Sequence, residues 1–214
     1  MDRTRDIRRE YAYAKLSKAD LAEQPLDQFQ HWLDHALANA IPDATAMALA
    51  TADEQGKPSV RIVLLKDFDI HGFVWFSDRG SEKGRALAAN PHAELLFHWR
   101  ELDRQVRIRG PVSQVAESAA DAYFRSRPQA SQWAAAVSQQ SQPIESRAAL
   151  EARYAALAQD SEQPLPRPQS WGGFCLQPLA YEFWQGREGR LHDRLRFQRA
   201  SLQDNQWKIE RLQP

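Results

Sequence analysis

Short apolar and β-branched segments separated by turns dominate this chain. Between residues 46 and 115, turns that contain Asp, Gly or Pro come at hairpin spacing, which predicts a meander of antiparallel strands. The predicted strands are 46–51, 59–66, 73–77, 93–99, 105–115 (bent at Gly110-Pro111) and, nearer the C-terminus, 173–176, 180–185, 194–202 and 206–211. Strands joined in this way favour a small antiparallel barrel.

Helical patterns occur in four places. In the first, Leu26, Phe29, Leu33 and Leu37 recur at helical spacing behind Pro25, a residue that suits a first turn. The predicted helices are 26–40, 81–89, 116–126 and 145–159. Together with the strands they indicate an α+β fold, mainly β, with flanking helices. We expect residues 1–20 to form a polar arm and residues 21–214 a single domain.

Charge is balanced, with 28 Lys and Arg against 28 Asp and Glu and a sequence pI of about 7.0. This balance argues against a nucleic-acid or membrane-surface binder, in which positive charge dominates affinity, so any anion site is local. The charged N-terminus lacks the apolar segment of a signal peptide, and no run approaches the ~20 apolar residues that span a bilayer. Cys175 is the single cysteine, which excludes an internal disulfide and suits a reducing compartment. We therefore expect a cytoplasmic protein.

A local cationic cluster follows a glycine-rich turn near the C-terminus. Arg190, His192 and Arg194 occupy alternate positions behind Gly189, with Trp184 ahead of the turn. If the segment is extended, its period of two places these three side chains on one face. Such a cluster repels itself unless an anion or an electron-rich ligand lies against it, so the turn is a candidate binding site.

Two further segments carry cations suited to phosphate. Arg61 and Lys66 bracket an apolar strand; they either reach solvent at the ends of a core strand or hold an anion. Ser81 and Lys83 begin a helix, where Ser81 is either an ordinary N-cap or, with Lys83 and backbone N–H groups, part of a phosphate cradle.

Tyr123, Arg127 and Ser131 straddle the end of another predicted helix. They form either a second phosphate site or a helix C-terminus at which the arginine meets the last carbonyls. Amides and a hydroxyl at Gln105, Gln140 and Ser141 are suited to hydrogen-bonding a heterocycle. Together, these groups suit a phosphorylated cofactor beside a phosphorylated substrate.

His31 and His35 have a metal-ligand spacing on the first helix. Since no carboxylate or cysteine partner is apparent nearby in sequence, we expect no metal.

These segments resemble the pyridoxine/pyridoxamine 5'-phosphate oxidase family. The matching motifs keep the family's order and spacing from about residue 8 to the C-terminus; they are Arg8-Arg9-Glu10-Tyr11, 61–66, Gly80-Ser81-Glu82-Lys83, Arg104-Gln105-Val106, 123–128, Trp171-Gly172-Gly173-Phe174 and 184–194. The resemblance implies an FMN-binding split β-barrel that works as a homodimer, with FMN at the subunit interface. It also implies oxidation of pyridoxine 5'-phosphate and pyridoxamine 5'-phosphate by O2 to pyridoxal 5'-phosphate, with release of H2O2 and, from the amine, NH3.

The resemblance further assigns residues to this site. Those expected to contact FMN are Arg61, Ile62, Val63, Leu64, Leu65, Lys66, Phe76, Ser77, Lys83, Gln105, Gln140, Ser141, Trp184 and Arg194. Those expected to bind the substrate are Arg8, Tyr11, Lys66, Tyr123, Arg127, Ser131, Arg190 and His192. Among them, Arg8 and Tyr11 are expected to close over the substrate as a lid, and Arg190 and His192 to be the catalytic residues.

Two positions depart from the family pattern. Glu82 stands where the family usually has arginine, which weakens the phosphate site if Glu82 points inward, unless Arg79 or Arg85 substitutes. Phe76 replaces a common tyrosine. Two alternatives therefore stay open: a non-catalytic protein that binds flavin or pyridoxal phosphate, which Glu82 favours, and a split-barrel flavin reductase. The second leaves the predicted phosphate site at 123–131 without a role.

Overall fold

The computed structural model describes residues 10, 11, 14–160 and 165–214, so Arg8 of the expected lid lies outside the described residues. Within them, helices α1 to α5 span Pro25–Ala38, Glu82–Ala89, Glu117–Ser126, Gln129–Val137 and Arg147–Asp160. Strands β1 to β10 span Ala46–Ala52, Pro58–Leu64, Asp67–Asp69, Gly72–Asp78, His92–Trp99, Arg104–Gln114, Trp171–Leu176, Ala180–Gln185, Asp193–Gln198 and Lys208–Leu212. The predicted antiparallel α+β architecture is confirmed.

The sheet curls because one long strand changes its partner. The path runs β10-β9-β8-β6-β5-β1-β2, while β4 pairs with β3 and β7, and β7 also pairs with β6. The first part of β6, up to Arg109, pairs with β8, and its last part, from Val112, pairs with β7. At Gly110 a Cβ atom would lie 1.9 Å from the carbonyl oxygen of Gln177, so only glycine permits this close approach. The change of partner thus falls at the predicted Gly110-Pro111 bend.

Helix α1 packs its apolar face against the sheet. Phe29 is fully buried, and its ring centroid lies 4.9 Å from those of both Phe73 and Phe97. Burial of one such side chain contributes about 1.5–3 kcal/mol, so this face anchors the helix over the core. Leu16 is also buried, at 4% exposure, which places the end of the N-terminal arm in the same core.

The extended conformation considered for the segment directly after Gly189 is not found. Gly189 and Arg190 both have φ of 62° and lie in a short 3-10 helix, Glu188–Arg190, and β9 begins only at Asp193. Because successive left-handed residues turn the chain, Arg190 and His192 do not share a strand face with Arg194. The cationic residues therefore lie on a turn and on the strand that follows it.

Within the described ranges, no helix combines the length and apolar character that crossing a membrane requires. Nor do the described residues contain a group of three or more His, Cys, Asp or Glu side chains placed to hold a metal ion.

Candidate active site

A cleft of about 630 Å³ unites the two phosphate sites that the sequence predicts on separate segments. Its walls are formed by Arg61, Ile62, Val63, Leu64, Lys66, Phe76, Ser77, Lys83, Tyr123, Arg127, Pro128, Ser131, Gln140 and Trp171. Two residues expected on this side are not in its lining. Leu65 is 5% exposed and packs in the core, whereas Ser141 is exposed on a loop with a φ of 68°.

Lys83 places a buried ammonium group at one end of the cleft. The residue is 7% exposed, and its Nζ donates to Gln140 Oε1 at 2.6 Å, Ser77 Oγ at 3.0 Å and Ser81 Oγ at 3.2 Å. Burial, followed by the charge of Arg61, lowers the pKa of Lys83. Because none of these three acceptors carries a charge, they do not neutralise the ammonium group, and its positive charge can attract an anion.

Ser81 caps α2. Its hydroxyl accepts a hydrogen bond from the Gly84 N–H at 3.3 Å and donates to the carbonyl of Asp78 at 2.6 Å, and the residue is fully buried. Of the two roles considered for Ser81, that of the N-cap residue of α2 is therefore confirmed.

Arg61 is the second cation at this end, and neutral oxygens hold it in place. Its Nη1 donates to the carbonyl of Leu49 at 3.1 Å and to Thr51 Oγ1 at 2.8 Å. Glu82 Oε1 lies 3.9 Å from Arg61 Nη2, but the Glu82 side chain is 63% exposed. Glu82 thus faces solvent beside the cleft and is only loosely paired with Arg61.

Neither arginine considered as a substitute at this position lines the cleft. Arg79 Nη2 lies 2.7 Å from Glu117 Oε1, and Arg85 Nη1 donates to the carbonyl of Gly80. Both guanidinium groups therefore have other partners, and compensation for Glu82 by Arg79 or Arg85 is not seen.

The other end of the cleft combines stacked rings with a guanidinium group. The Phe76 ring lies 4.0 Å from the Tyr123 ring and 5.3 Å from the Trp171 ring, with interplanar angles of 19° and 10°. The Arg127 guanidinium carbon lies 4.8 Å from the Trp171 centroid. Burial lowers the pKa of Arg127, yet an arginine stays protonated in proteins. Arg127 Nη1 is buried and has no hydrogen-bond partner among the described residues. A buried donor of a charged group without a partner is costly, so this end of the cleft suits an anion.

A second set of expected site residues lies on neighbouring strands elsewhere in the sheet. Gln105 pairs with Trp184, and Trp184 pairs with Arg194, so these side chains form a row on one face. The residues that follow them, Val106 and Leu195 among them, are fully buried. Because side chains alternate along a strand, the row faces away from the core.

His192 lies beside this row in a cluster of rings. Its ring centroid is 4.7 Å from that of Trp184 and 5.1 Å from that of Tyr11. The backbone N–H of Arg187 donates to His192 Nδ1 at 3.1 Å. Burial, followed by the charge of Arg190, lowers the pKa of His192, which favours the neutral imidazole. A neutral ring that accepts at Nδ1 carries its proton on Nε2, so His192 presents an Nε2–H donor.

Within one chain the two sets stay apart. None of the second set lines the cleft described above, and this holds for Tyr11, Gln105, Trp184, Arg190, His192 and Arg194. Trp171 is a cleft residue that was not among the predicted contacts, although the motif Trp171-Gly172-Gly173-Phe174 pointed to its segment. Among the described residues of one chain, the two sets of expected site residues therefore do not line a common cleft.

Two family models match the chain. The one described as pyridoxamine 5'-phosphate oxidase matches residues 33–159, and the one described as pyridoxine 5'-phosphate oxidase C-terminal dimerisation region matches residues 171–214. The chain is 51% identical over 209 residues to a pyridoxine/pyridoxamine 5'-phosphate oxidase of Herminiimonas arsenicoxydans, covering 98% of each chain. It is 48% identical over 214 residues to the protein of the same name from Thermosynechococcus vestitus, covering 100% of both.

Solved structures agree on the fold. PhzG from Burkholderia lata, in complex with tetrahydrophenazine-1-carboxylic acid, superposes with a TM-score of 0.85 at 34% identity, covering 92% of this chain and 95% of that one. A pyridoxamine 5'-phosphate oxidase-related, FMN-binding protein from Nostoc punctiforme gives a TM-score of 0.70 at 19% identity, covering 91% and 99%. The expected split barrel is thus confirmed.

Proposed function

Because the chain belongs to the pyridoxine/pyridoxamine 5'-phosphate oxidase family, it is an FMN-dependent oxidase of phosphorylated B6 vitamers, and we propose that two copies build each of its active sites. The observation that supports this proposal best is the cleft itself, whose lining contains the buried Lys83 beside Arg61 and also Arg127, whose buried Nη1 has no partner among the described residues. A phosphorylated cofactor and a phosphorylated substrate would each supply one phosphate, one to Lys83 and Arg61 and the other to Arg127.

The cleft fits FMN and substrate in complementary ways. Lys83 and Arg61 supply two close cations, and Ser77 and Gln140 supply neutral hydrogen-bonding groups beside them. We propose that this end binds FMN. At the other end, Arg127 binds the substrate phosphate, with Lys66, Tyr123 and Ser131 close to it on the same lining.

The missing wall comes from a second copy of the chain. Val60, Ile62 and Leu64 of the edge strand β2 are 68%, 66% and 44% exposed, an apolar row that a lone chain leaves in water. The outward-facing residues Trp184, Arg190, His192 and Arg194 all fall in the segment that matches the dimerisation region. We propose that this segment of one protomer covers the β2 cleft of its partner, with FMN between them.

Within the completed site, bound FMN supplies the two-electron acceptor that O2 regenerates. The chain's own residues bind, orient and exclude water. Trp184 provides a flat wall, the Nε2–H of His192 donates a hydrogen bond, and Arg190 at the tip of its turn stabilises negative charge next to the reacting carbon. Tyr11 packs on both Trp184 and His192, which supports its role in a lid over the substrate.

The domain boundaries and the compartment stay predictions: an arm at 1–20, one domain at 21–214 and a cytoplasmic location.

The substrate is the point on which the relatives differ. PhzG was solved with a carboxylic acid of a tricyclic ring, not with a phosphate ester. The unpaired Arg127 Nη1 beside Tyr123 and Ser131 favours the phosphate ester here.

The test compares vitamers with and without the phosphate. Purified protein is saturated with FMN, and aldehyde formation is followed with pyridoxine 5'-phosphate, pyridoxamine 5'-phosphate and unphosphorylated pyridoxine. We expect turnover of the first two and a loss of at least about 100-fold in kcat/KM for the third, because the charged contacts are lost. Equal turnover of pyridoxine and its phosphate, or no turnover by protein that has bound FMN, contradicts the proposal.

A further inference from the structure

Helix α3 carries two of the phosphate-binding groups of the cleft, yet little apolar packing holds its first half. Tyr123 lies in its last turn, and Arg127 is its C-cap residue. Only Ala120 and Phe124 of the helix are buried. The ring contacts of the helix lie in its second half, where Tyr123 stacks on Phe76 and Phe124 packs against Trp171. The first half contributes only Ala120 to the apolar packing, so other contacts hold it.

Charged groups on the first half of α3 provide those contacts. Glu117 and Asp121 are four residues apart and project from the same helix face. Arg167, which precedes β7, donates from Nε to Asp121 Oδ1 at 2.6 Å and from Nη2 to Glu117 Oε2. The Arg167 side chain is only 10% exposed, whereas Glu117 and Asp121 are 59% and 41% exposed, so the guanidinium side of these bonds is the one shielded from water.

The same guanidinium also reaches the wall of the cleft. Arg167 Nη1 donates to the carbonyl oxygen of Trp171. The Trp171 ring in turn lies 5.2 Å from the Phe124 ring and 4.8 Å from the Arg127 guanidinium carbon. Arg167 therefore joins the first half of α3 to the tryptophan on which Arg127 rests.

A second arginine ties the same carboxylate to the end of β4. Arg79 Nη2 lies 2.7 Å from Glu117 Oε1, and the Arg79 backbone N–H donates to the carbonyl of Ser170 at 2.6 Å. A Cβ atom at Gly172 would lie 2.3 Å from Arg79 Nε, so the glycine leaves the room that this guanidinium occupies. Glu117 is thus held from two sides.

We propose that Arg167 is a positioning residue for substrate binding: through Glu117, Asp121 and the Trp171 carbonyl it fixes α3 so that Arg127 and Tyr123 meet the substrate phosphate. This inference rests on the proposed function of the cleft, since it assigns a purpose to the geometry of Arg127. Arg167 does not line the cleft and touches no reacting group.

The decisive variants are Arg167→Gln and Arg167→Lys, with Asp121→Asn as a milder change that removes one bond. Arg147→Gln is the matched control, because Arg147 also pairs with a glutamate at 2.6 Å, but its side chain is 89% exposed on α5. For each protein we measure KM and kcat with pyridoxine 5'-phosphate, competitive inhibition by inorganic phosphate, FMN affinity by fluorescence, and hydrogen exchange of residues 117–127.

We expect Arg167→Gln to raise both KM and the inhibition constant of phosphate by about fivefold to tenfold, with kcat and FMN affinity changed by less than about twofold. Arg167→Lys recovers part of this loss, because an ammonium group forms some of the three bonds. Exchange within 117–127 becomes faster in Arg167→Gln and Asp121→Asn, and it stays unchanged in Arg147→Gln.

The inference is overturned if phosphate inhibition and exchange in α3 do not change in folded Arg167→Gln or Asp121→Asn. It is also overturned if FMN affinity falls by the same factor as substrate affinity, or if Arg147→Gln has an equal effect. If the wild-type protein with FMN bound turns over no vitamer, the proposed function fails instead, and the exchange data still decide whether Arg167 fixes α3.

Discussion

Replacing Arg127 with methionine removes a buried guanidinium nitrogen that has no partner in the described part of the chain, and keeps an unbranched side chain on Trp171. A hydrogen bond to a charged group contributes about 1.5–3 kcal/mol. Since 1.4 kcal/mol corresponds to a factor of ten, we expect KM for pyridoxine 5'-phosphate to rise by about 10- to 100-fold. kcat should change far less, because Arg127 binds the phosphate and not the reacting carbon.

The same substitution has a distinctive effect on stability. It removes a cation–π contact of about 0.5–2 kcal/mol, but it also removes a charged group with a buried, unpartnered Nη1, which opposes that loss. We therefore expect Tm to shift by less than about 4 °C while substrate affinity collapses. Arg125→Met is the control, because Arg125 is exposed on the same helix and does not line the cleft.

The assay is aldehyde formation by enzyme saturated with FMN, over a range of substrate concentrations, with Tm measured on the same samples. An unchanged KM in folded Arg127→Met would refute the assignment of the phosphate site. A parallel increase in Arg125→Met would show that only the overall charge of the helix matters.

Three further outcomes follow from the geometry. Glu82→Arg should raise FMN affinity, but by less than about fivefold. The reason is that a charge 3.9 Å from Arg61 in a water-like medium contributes at most about 1 kcal/mol. A fluorescence titration that shows no gain in affinity would exclude any influence of Glu82. Gly172→Ala should displace Arg79 from Glu117 and raise KM by up to about fivefold, and unchanged kinetics with an intact ion pair in a crystal structure would contradict the close approach. Nitrogen NMR of His192 should show the Nε2–H form of the neutral ring. The titration midpoint should lie below the ordinary value of about 6.5, because burial and the charge of Arg190 disfavour the protonated imidazole. A midpoint above that value would contradict the role of His192 as a neutral donor.

Most strands could be predicted from the sequence because turn residues separate them. Helix α1 could be predicted because its apolar stripe defines its buried face and Pro25 defines its start. Helix α4 was not predicted. Ala130, Trp133, Ala134 and Val137 do recur at helical spacing there, so this helix was accessible to the sequence pattern. Strand β3, at three residues, is too short to produce an alternating pattern.

At the site, the sequence identified residue types but not their grouping. A shared face for Arg190, His192 and Arg194 depended on an extended segment behind Gly189. Arg190 instead has a left-handed conformation, which non-glycine residues rarely adopt and which the sequence does not indicate. The bonds of Arg167 to Glu117 and Asp121 join residues 46 or more positions apart, and such contacts follow from tertiary packing alone. The separation of the two halves of the site likewise depends on how the sheet curls.

Mixing two impaired variants, assayed at substrate concentrations far below KM, tests the two-copy site most directly. Arg127→Met damages the cleft, and His192→Ala damages the outward-facing row, so each homodimer has two broken sites. After the subunits are exchanged at equal amounts, half of the dimers are expected to be hybrids, and each hybrid has one intact site. The account predicts recovery of about a quarter of wild-type activity, as expected for a symmetric dimer with shared sites. No recovery in a mixture in which hybrids are shown to form would contradict it.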